Sequence, residues 1–379
     1  MNIEDIKDRA IKHKIELHKF PEIGFQEFKT SQYIINELTN IGYIVERIAG
    51  TGILAYKKGT SSEVIAFRAD MDGLKIKEET NLKYKSQMEG YMHACGHDGH
   101  CAILLGFAEY IYNMKNINKG VLFIFQPAEE NPGGAEVVVG EGIFNRYNIT
   151  SVFGLHIYPE INQGKIGLRA GALTAQSGEF DIYIEGKSAH GAMPQKGNDA
   201  LVTSAQLINA YQSIISRSMN PLDSCVINIG TIKGGEARNI IPEKILLEGT
   251  IRTFSQEVYK EIKKKMLTIN SGLSQMFEVD IKIIFRDMYP PVINDKKLVD
   301  KILKSKLIEK IIEIEPMMIA EDFSYYQLEV PGIFFMLGAR NDVLGHINPL
   351  HSSKFSFDND VLLDGIRLFD EICKSMNVY

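Results

Sequence analysis

Three short apolar runs, each stopping at residues able to bind a metal or move a proton, constrain this chain more than any other feature. Val64-Ile-Ala-Phe-Arg68 runs into Asp70-Met-Asp72, Val121-Leu-Phe-Ile-Phe125 into Gln126-Pro-Ala-Glu129-Glu130, and Ser151-Val-Phe-Gly-Leu155 into His156. Runs of this kind suit strands buried on both faces of a sheet. Stretches such as Ala102 to Met114 between them are long enough for crossover helices, so the expected architecture is α/β with a mixed, mostly parallel sheet. In open sheets of that type ligands bind just outside the carboxyl ends of the strands. Topology alone is therefore expected to bring three distant segments to one crevice.

Between about residues 178 and 288 the periodicity changes. An alternating strand (Glu179 to Glu185), a helix (Ala200 to Arg217), two strands (Cys225 to Ile232, Lys244 to Thr253), a helix (Glu257 to Met276) and a strand (Glu278 to Phe285) follow one another. That order is βαββαβ, the ferredoxin-like unit. The chain is accordingly read as a catalytic domain, 1–177 and 289–379, with a second domain, 178–288, inserted in it. Two units also suit 379 residues, because single cores stop growing at about 250–300 residues. The first core resumes near Val292 and ends with Ile333-Phe-Phe-Met-Leu337 and a closing helix.

Composition narrows the function class. With 42 Lys+Arg against 48 Asp+Glu, a formal charge of -6 and no Trp, the chain has no electrostatic footprint for nucleic acid. No apolar run approaches the roughly 18 residues a spanning helix needs. The N-terminal segment mixes charges of both signs and lacks the apolar stretch of a secretory signal, which points to the cytoplasm. The four cysteines, Cys95, Cys101, Cys225 and Cys373, are too scattered for a disulfide framework. Walker A, His-Glu-x-x-His and Gly-x-Ser-x-Gly patterns are all missing. Small-molecule chemistry is the expected class.

The densest feature is Met92-His93-Ala94-Cys95-Gly96-His97-Asp98-Gly99-His100. Thiolate and imidazole at Cys95-x-His97 are ligands suited to zinc or a related divalent ion, and the glycines allow a tight turn. A polar loop capping the following helix is the bland alternative. Glu129-Glu130, His156 and His351, the last after the final apolar strand, supply further candidates. Five protein ligands exceed what one catalytic zinc uses and suit two ions with shared groups. Adjacent glutamates in extended chain point to opposite sides, so Glu129 and Glu130 are expected to differ in role unless the backbone turns there. Asp70 and Asp72 share a side; one is expected to orient a ligand, with helix capping as the alternative. Histidines 13, 18, 100 and 346 are read as structural. In the inserted domain His190 sits on a glycine-flanked loop, and Asn239 and Arg252 fall near the ends of neighbouring strands. Arg252 is either a fork for a carboxylate or a surface ion-pair residue.

These residues resemble the M20 family of metallopeptidases, in particular the amidohydrolase branch that includes hippurate hydrolases, N-acyl-amino-acid amidohydrolases and auxin-conjugate hydrolases. The resemblance runs through Leu17-His-Lys-Phe-Pro-Glu-Ile-Gly-Phe-Gln-Glu27, Phe67-Arg-Ala-Asp-Met-Asp72, Met92 to Asp98, Gln126 to Glu130, Gly154-Leu-His156, Gly186-Lys-Ser-Ala-His190, Asn239-Ile-Ile-Pro242 and Leu350-His-Ser352. It implies two divalent ions per subunit, zinc, manganese, cobalt or nickel, on Cys95, His97, Glu130, His156 and His351. It further implies Glu129 as general base, Asp70 or Asp72 as its acidic support, and a homodimer built through the inserted domain. His190 would stabilise an oxyanion in the partner's site, while Asn239 and Arg252 would hold a substrate carboxylate. The implied substrate is an N-acyl-L-amino acid. An N-acetyl-diaminopimelate deacetylase or a dipeptidase is the alternative, since Pro132-Gly-Gly-Ala-Glu136 and Asp223-Ser224 are shared with the deacetylases. A cysteine hydrolase using Cys95 and His97, and a non-catalytic metal- or peptide-binding module, are rivals from other classes.

Overall fold

The computed structural model describes residues 2–379 and divides into two compact units, one of residues 2–171, Ile293–Glu315 and Asp322–Tyr379, the other of Ala172–Val292 and Pro316–Glu321. The first is built on an eight-stranded sheet in the order Val45–Ile48, Gly52–Lys57, Gly120–Gln126, Val64–Asp70, Ile149–Asn162, Gly332–Arg340, Ile166–Leu168, Ile311–Glu313. Its four central strands run parallel; antiparallel pairing is confined to the flanks. This is the mixed, mostly parallel sheet that the buried apolar runs predict. Helices Lys7–His18, His97–Tyr112 and Asp360–Ser375 join the core on one face, where Phe67 packs against Phe107 and Phe369 at centroid distances of 5.0 and 4.8 Å. Edge and tilted contacts of this kind add to the area each ring removes from water. No helix among the described residues is long and apolar enough to cross a membrane.

One helix carries a titration that reports on this core. His13 is buried and pairs through Nδ1 with Tyr33 Oη at 2.8 Å. Burial, aided by the charges of Lys12 and Arg9, lowers its pKa from 6.5 to about 4. The folded chain therefore keeps this ring neutral where the unfolded chain protonates it. Its contribution to stability is complete above pH 6.5 and is lost as pH falls toward 4, by roughly 2–3 kcal/mol at the low end. In urea titrations the unfolding free energy of His13→Asn is expected to fall less steeply than that of the unmodified chain across this window. Parallel pH profiles would remove His13 from the account.

The second unit holds a four-stranded sheet in the order Cys225–Gly234, Lys244–Thr253, Gln176–Glu185, Asp280–Asp287, antiparallel at every step, with helices Ala200–Ser213 and Gln256–Phe277 sharing its apolar core. That is the strand order of a ferredoxin-like unit. It extends beyond 178–288 because the flanking segments bond to one another: Ser177 N donates to Tyr289 O at 3.0 Å and Leu173 N to Val292 O at 2.8 Å. Several expected element boundaries shift, two of them with a clear backbone cause. The first helix stops at Ser213, followed by a wider turn over Ile214–Ser218. Glu278 is the left-handed cap of the second helix, at φ 51°, rather than the first residue of the last strand.

Candidate metal centre

Every candidate ligand lies in the first unit, and local backbone geometry explains why they meet. Gly96, left-handed at φ 87°, is the N-cap of the helix that begins at His97. The helix thus starts earlier than the apolar stretch Ala102 to Met114 indicates, and places His97 and His100 on one face of its first turn. His156 is not a strand end: the strand continues to Asn162, pairing His156 with Met336. The neighbouring strand ends at Asp70, and its pairing with Ile149–Asn162 stops at Arg68 opposite Gly154. His156 therefore lies beyond its neighbour's reach on that side, while still held on the other. His351 is left-handed at φ 62° and is tied by its own amide to Ala94 O at 2.9 Å, next to Cys95.

The adjacent glutamates are reconciled by a turn. Ala128 has φ 55°, and the amides of Glu129 and Glu130 both donate to Asp72, each at 3.0 Å. The same Asp72 carboxylate lies 3.2 Å from His97 Nδ1. Asp72 thus fixes the ring of His97 and the backbone of both glutamates at once. Asp70 is engaged otherwise, at 2.5 Å from Arg68 Nη1 and 2.6 Å from His100 Nδ1, and 3.8 Å from His97 Nε2. The two aspartates flank His97 but do not both line an open floor, as the period-two argument anticipates, because Arg68 and His100 take up Asp70. His100, read as structural, closes its network by accepting from Ile157 N at 2.9 Å. His18 is held by Asp98 at 2.8 Å, and His346 by Ser356 at 2.9 Å.

Donor atoms of Cys95, His97 and His156 lie within 4.8 Å of one another, and so do those of Cys95, Glu130 and His351. Cys95 belongs to both groups, with Sγ 3.3 Å from His156 Nε2, while His351 Nε2 lies 3.0 Å from Glu130 Oε1. His97, Glu129 and Glu130 form a further such group. All five ligands expected from the sequence are brought together. The chemistry of the set fits divalent ions. His97 Nε2 is buried without a hydrogen-bond partner, and thiol, imidazole and carboxylate crowd one low-dielectric space. Burial, with Glu130 and Glu129 beside it, pushes the Cys95 thiol far up. Against its burial, Asp70 and Asp72 raise His97 to about 10. Burial drives His156 down to about 3. Without a cation the cluster keeps protons on Cys95 and His97, which these two residues would give up on holding a divalent ion. A thiol held in this form is also a poor nucleophile, which counts against a cysteine hydrolase.

Residues 66–375 match the model of peptidase family M20/M25/M40. The chain belongs to that family. It is 38% identical over 370 residues to the N-acetyldiaminopimelate deacetylase of Bacillus subtilis (strain 168), covering 96% of each protein. To an uncharacterized hydrolase of Staphylococcus saprophyticus it is 35% identical over 369 residues, again covering 96% of each. The crystal structure of the Bacillus subtilis YXEP protein, described as a dinuclear metal binding peptidase from the M20 family, superposes with a TM-score of 0.87 at 29% identity, covering 99% of both chains. The chain is a metal-dependent hydrolase acting on amide bonds. The non-catalytic binding module is thereby set aside.

The remaining candidates lie in the second unit. His190 and Ile240 are register partners in a short ribbon, and Gly191 N donates to Asn239 O at 2.8 Å, so His190 and Asn239 share one exposed corner. Ala192 N donates to His190 Nδ1 at 3.1 Å, which leaves the neutral ring's proton on Nε2. Arg252 stands opposite Ser177 and Val226 in the sheet, with a buried Nη1 that has no hydrogen-bond partner. It is not the exposed ion-pair residue of the bland reading.

Sequence reasoning missed the supporting shell. Arg68 is fully buried and bonds Gln126 and Asp322 as well as Asp70, and Asp322 accepts from the amides of Gly134 and Ala135 at 3.0 and 2.9 Å. Arg68 was legible only as the last residue of an apolar run, and Asp322 lies far from every motif in sequence.

Proposed function

We propose that this protein hydrolyses the amide bond of N-acyl-L-amino acids, releasing a carboxylic acid and a free amino acid, with N-acetyl-diaminopimelate as the first substrate to test. The observation that carries the reading is the pair of ligand groups sharing Cys95, set beside a buried Glu129 whose carboxylate comes to 3.9 Å from His97. Two divalent ions would be held by Cys95, His97, Glu130, His156 and His351. Such ions supply Lewis acidity and a water acidic enough to ionise near neutrality.

The chain's own residues do the rest. Glu129 accepts a proton from the attacking water as oxygen bonds to the carbonyl carbon. It returns that proton to nitrogen as the carbon–nitrogen bond breaks, so the amine leaves neutral. Asp72 keeps Glu129, Glu130 and His97 in register through its three contacts. His190 donates from Nε2 to the developing oxyanion, and Arg252 with Asn239 grips the free carboxylate. The protein works as a cytoplasmic homodimer assembled through the second unit, whose His190 serves the other subunit.

The decisive test is mass-spectrometric detection of free amino acid from a panel of N-acetyl, N-benzoyl and diaminopimelate conjugates and dipeptides, with metal-loaded protein. Release from acylated amino acids supports the reading; turnover of dipeptides alone moves the function to peptidase. Cys95→Ala is expected to lower bound metal from two ions per chain, measured by elemental analysis, because both groups lose a member. Unchanged metal content would remove Cys95 from the ligand set. His190→Ala is expected to lower kcat by about 10²–10³-fold, and full activity would dismiss its oxyanion role.

A further inference from the structure

The segment Leu17 to Glu27 carries part of the family resemblance, yet none of its residues is among the expected ligands or proton carriers. The structure gives it a task. Its chain passes directly beneath the turn that carries Glu129 and Glu130. A Cβ on Gly24 would sit 2.2 Å from Asn131 O and 2.7 Å from the Ala128 side chain, so only glycine lets the two segments approach this closely. Glu22 O, in the same segment, accepts from Gly73 N at 2.7 Å, one residue past Asp72.

Glu27, completely buried, ends the segment. Its Oε1 accepts from Ala128 N at 2.8 Å and its Oε2 from Thr51 Oγ1 at 2.6 Å. Three successive amides, those of Ala128, Glu129 and Glu130, are thus each held by a buried carboxylate, the first by Glu27 and the others by Asp72. The first is the demanding one. Ala128 is left-handed at φ 55°, a conformation that a residue with a Cβ adopts only when its surroundings enforce it. If that residue relaxes to an ordinary φ, the chain beyond it changes direction and Glu129 and Glu130 cannot both face the ligand cluster.

We propose that Glu27 is a positioning residue that enforces the left-handed turn at Ala128 and so sets the aim of Glu129 and Glu130. It touches neither substrate nor ion; it acts through the Ala128 amide. The proposal rests on the assignment of Glu130 as ligand and Glu129 as base. Burial lifts the Glu27 carboxyl to about 7, and both bonds survive its protonation, because a protonated Oε2 can donate to Thr51 while Oε1 still accepts. Glutamine preserves the same pattern, with Oε1 accepting from Ala128 and Nε2 donating to Thr51 Oγ1.

Four variants of the full chain test this: Glu27→Gln, Glu27→Ala, Glu27→Asp and Glu27→Ala combined with Ala128→Gly. Each is measured for divalent-ion affinity by competition with a chromophoric chelator, using manganese and zinc, and then for kcat. Expected are near-unmodified behaviour in Glu27→Gln and a loss of tenfold or more in ion affinity and kcat in Glu27→Ala. The double variant should recover part of both, since glycine adopts the left-handed turn without enforcement. Should Glu27→Ala not fold, Glu27→Asp, too short by one methylene to reach both partners, takes its place in the comparison. Affinity and kcat unchanged in the Ala or Asp variant overturn the proposal, as does a glycine double variant that recovers nothing. A loaded unmodified protein that cleaves no acylated amino acid overturns the proposed substrate class instead and leaves the affinity comparison standing.

Discussion

Glu129→Gln is expected to keep both ions and lose turnover, with kcat falling by about 10²–10⁴-fold, the usual contribution of a positioned general base. Three features support that combination. Glutamine has the size and shape of the glutamate but no carboxylate to take a proton. The amide of residue 129 stays bonded to Asp72 at 3.0 Å whatever the side chain is, so the turn and Glu130 keep their places. And Glu129 belongs to neither of the two ligand groups that share Cys95. Elemental analysis beside steady-state kinetics separates the outcomes. An unchanged kcat would take Glu129 out of the proton path. A fall in bound metal would recast it as a ligand through its group with His97 and Glu130.

Only parts of this site are legible in sequence. Glu129 and Glu130 are, because they lie where a strongly apolar run stops, and sheet topology places such stops beside one another. Cys95 and His97 are legible for another reason, their spacing in a glycine-rich turn. Apolar periodicity also yields the succession of strands and helices in the second unit and the four parallel strands of the first, though not the flanking strands of its sheet. It fails where a residue's neighbour, rather than its own pattern, sets its role. His156 reads as a strand end, but it is mid-strand and open only because the next strand is shorter. Asp70 and Asp72 read as equivalent by alternation, yet Arg68 and His100 claim the first while His97 and two amides claim the second. Glu27 carries no visible sign of its task, because its partner Ala128 is about a hundred positions away and the contact is to backbone. Side-chain pairing across such separations leaves no periodic trace in one sequence.

Arg68 is where that hidden shell has its largest expected effect. Its guanidinium has no exposed surface and reaches Asp70 at 2.5 Å, Asp322 at 2.8 Å and Gln126 Oε1 at 2.8 Å. Asp322 in turn accepts from Gln126 Nε2 and from the amides of Gly134 and Ala135, pinning the far end of the loop whose near end carries Glu129 and Glu130. Arg68→Met retains most of the apolar stem but leaves two carboxylates buried without their cation. Removing one member of a buried ionic network costs about 3–5 kcal/mol, since the charges left behind remain desolvated. The deficit should appear as a lower urea midpoint with an unchanged slope. It also has a pH signature. Against complete burial, Arg68, with His97 and His100, holds the Asp70 carboxyl well below 3.8, so Asp70 stabilises the unmodified chain above that pH and the contribution is lost as pH falls through the depressed value. Without Arg68 the folded pKa rises and protonation relieves the strain, so the gap between variant and parent should narrow as pH drops toward 4. Arg68→Lys should recover little, because an ammonium cannot span both carboxylates and the Gln126 oxygen with a planar fork. A deficit below about 1 kcal/mol, the range of an exposed pair, or one that does not change with pH, would mean that His100 holds Asp70, and Gln126 with the loop amides holds Asp322, without the guanidinium.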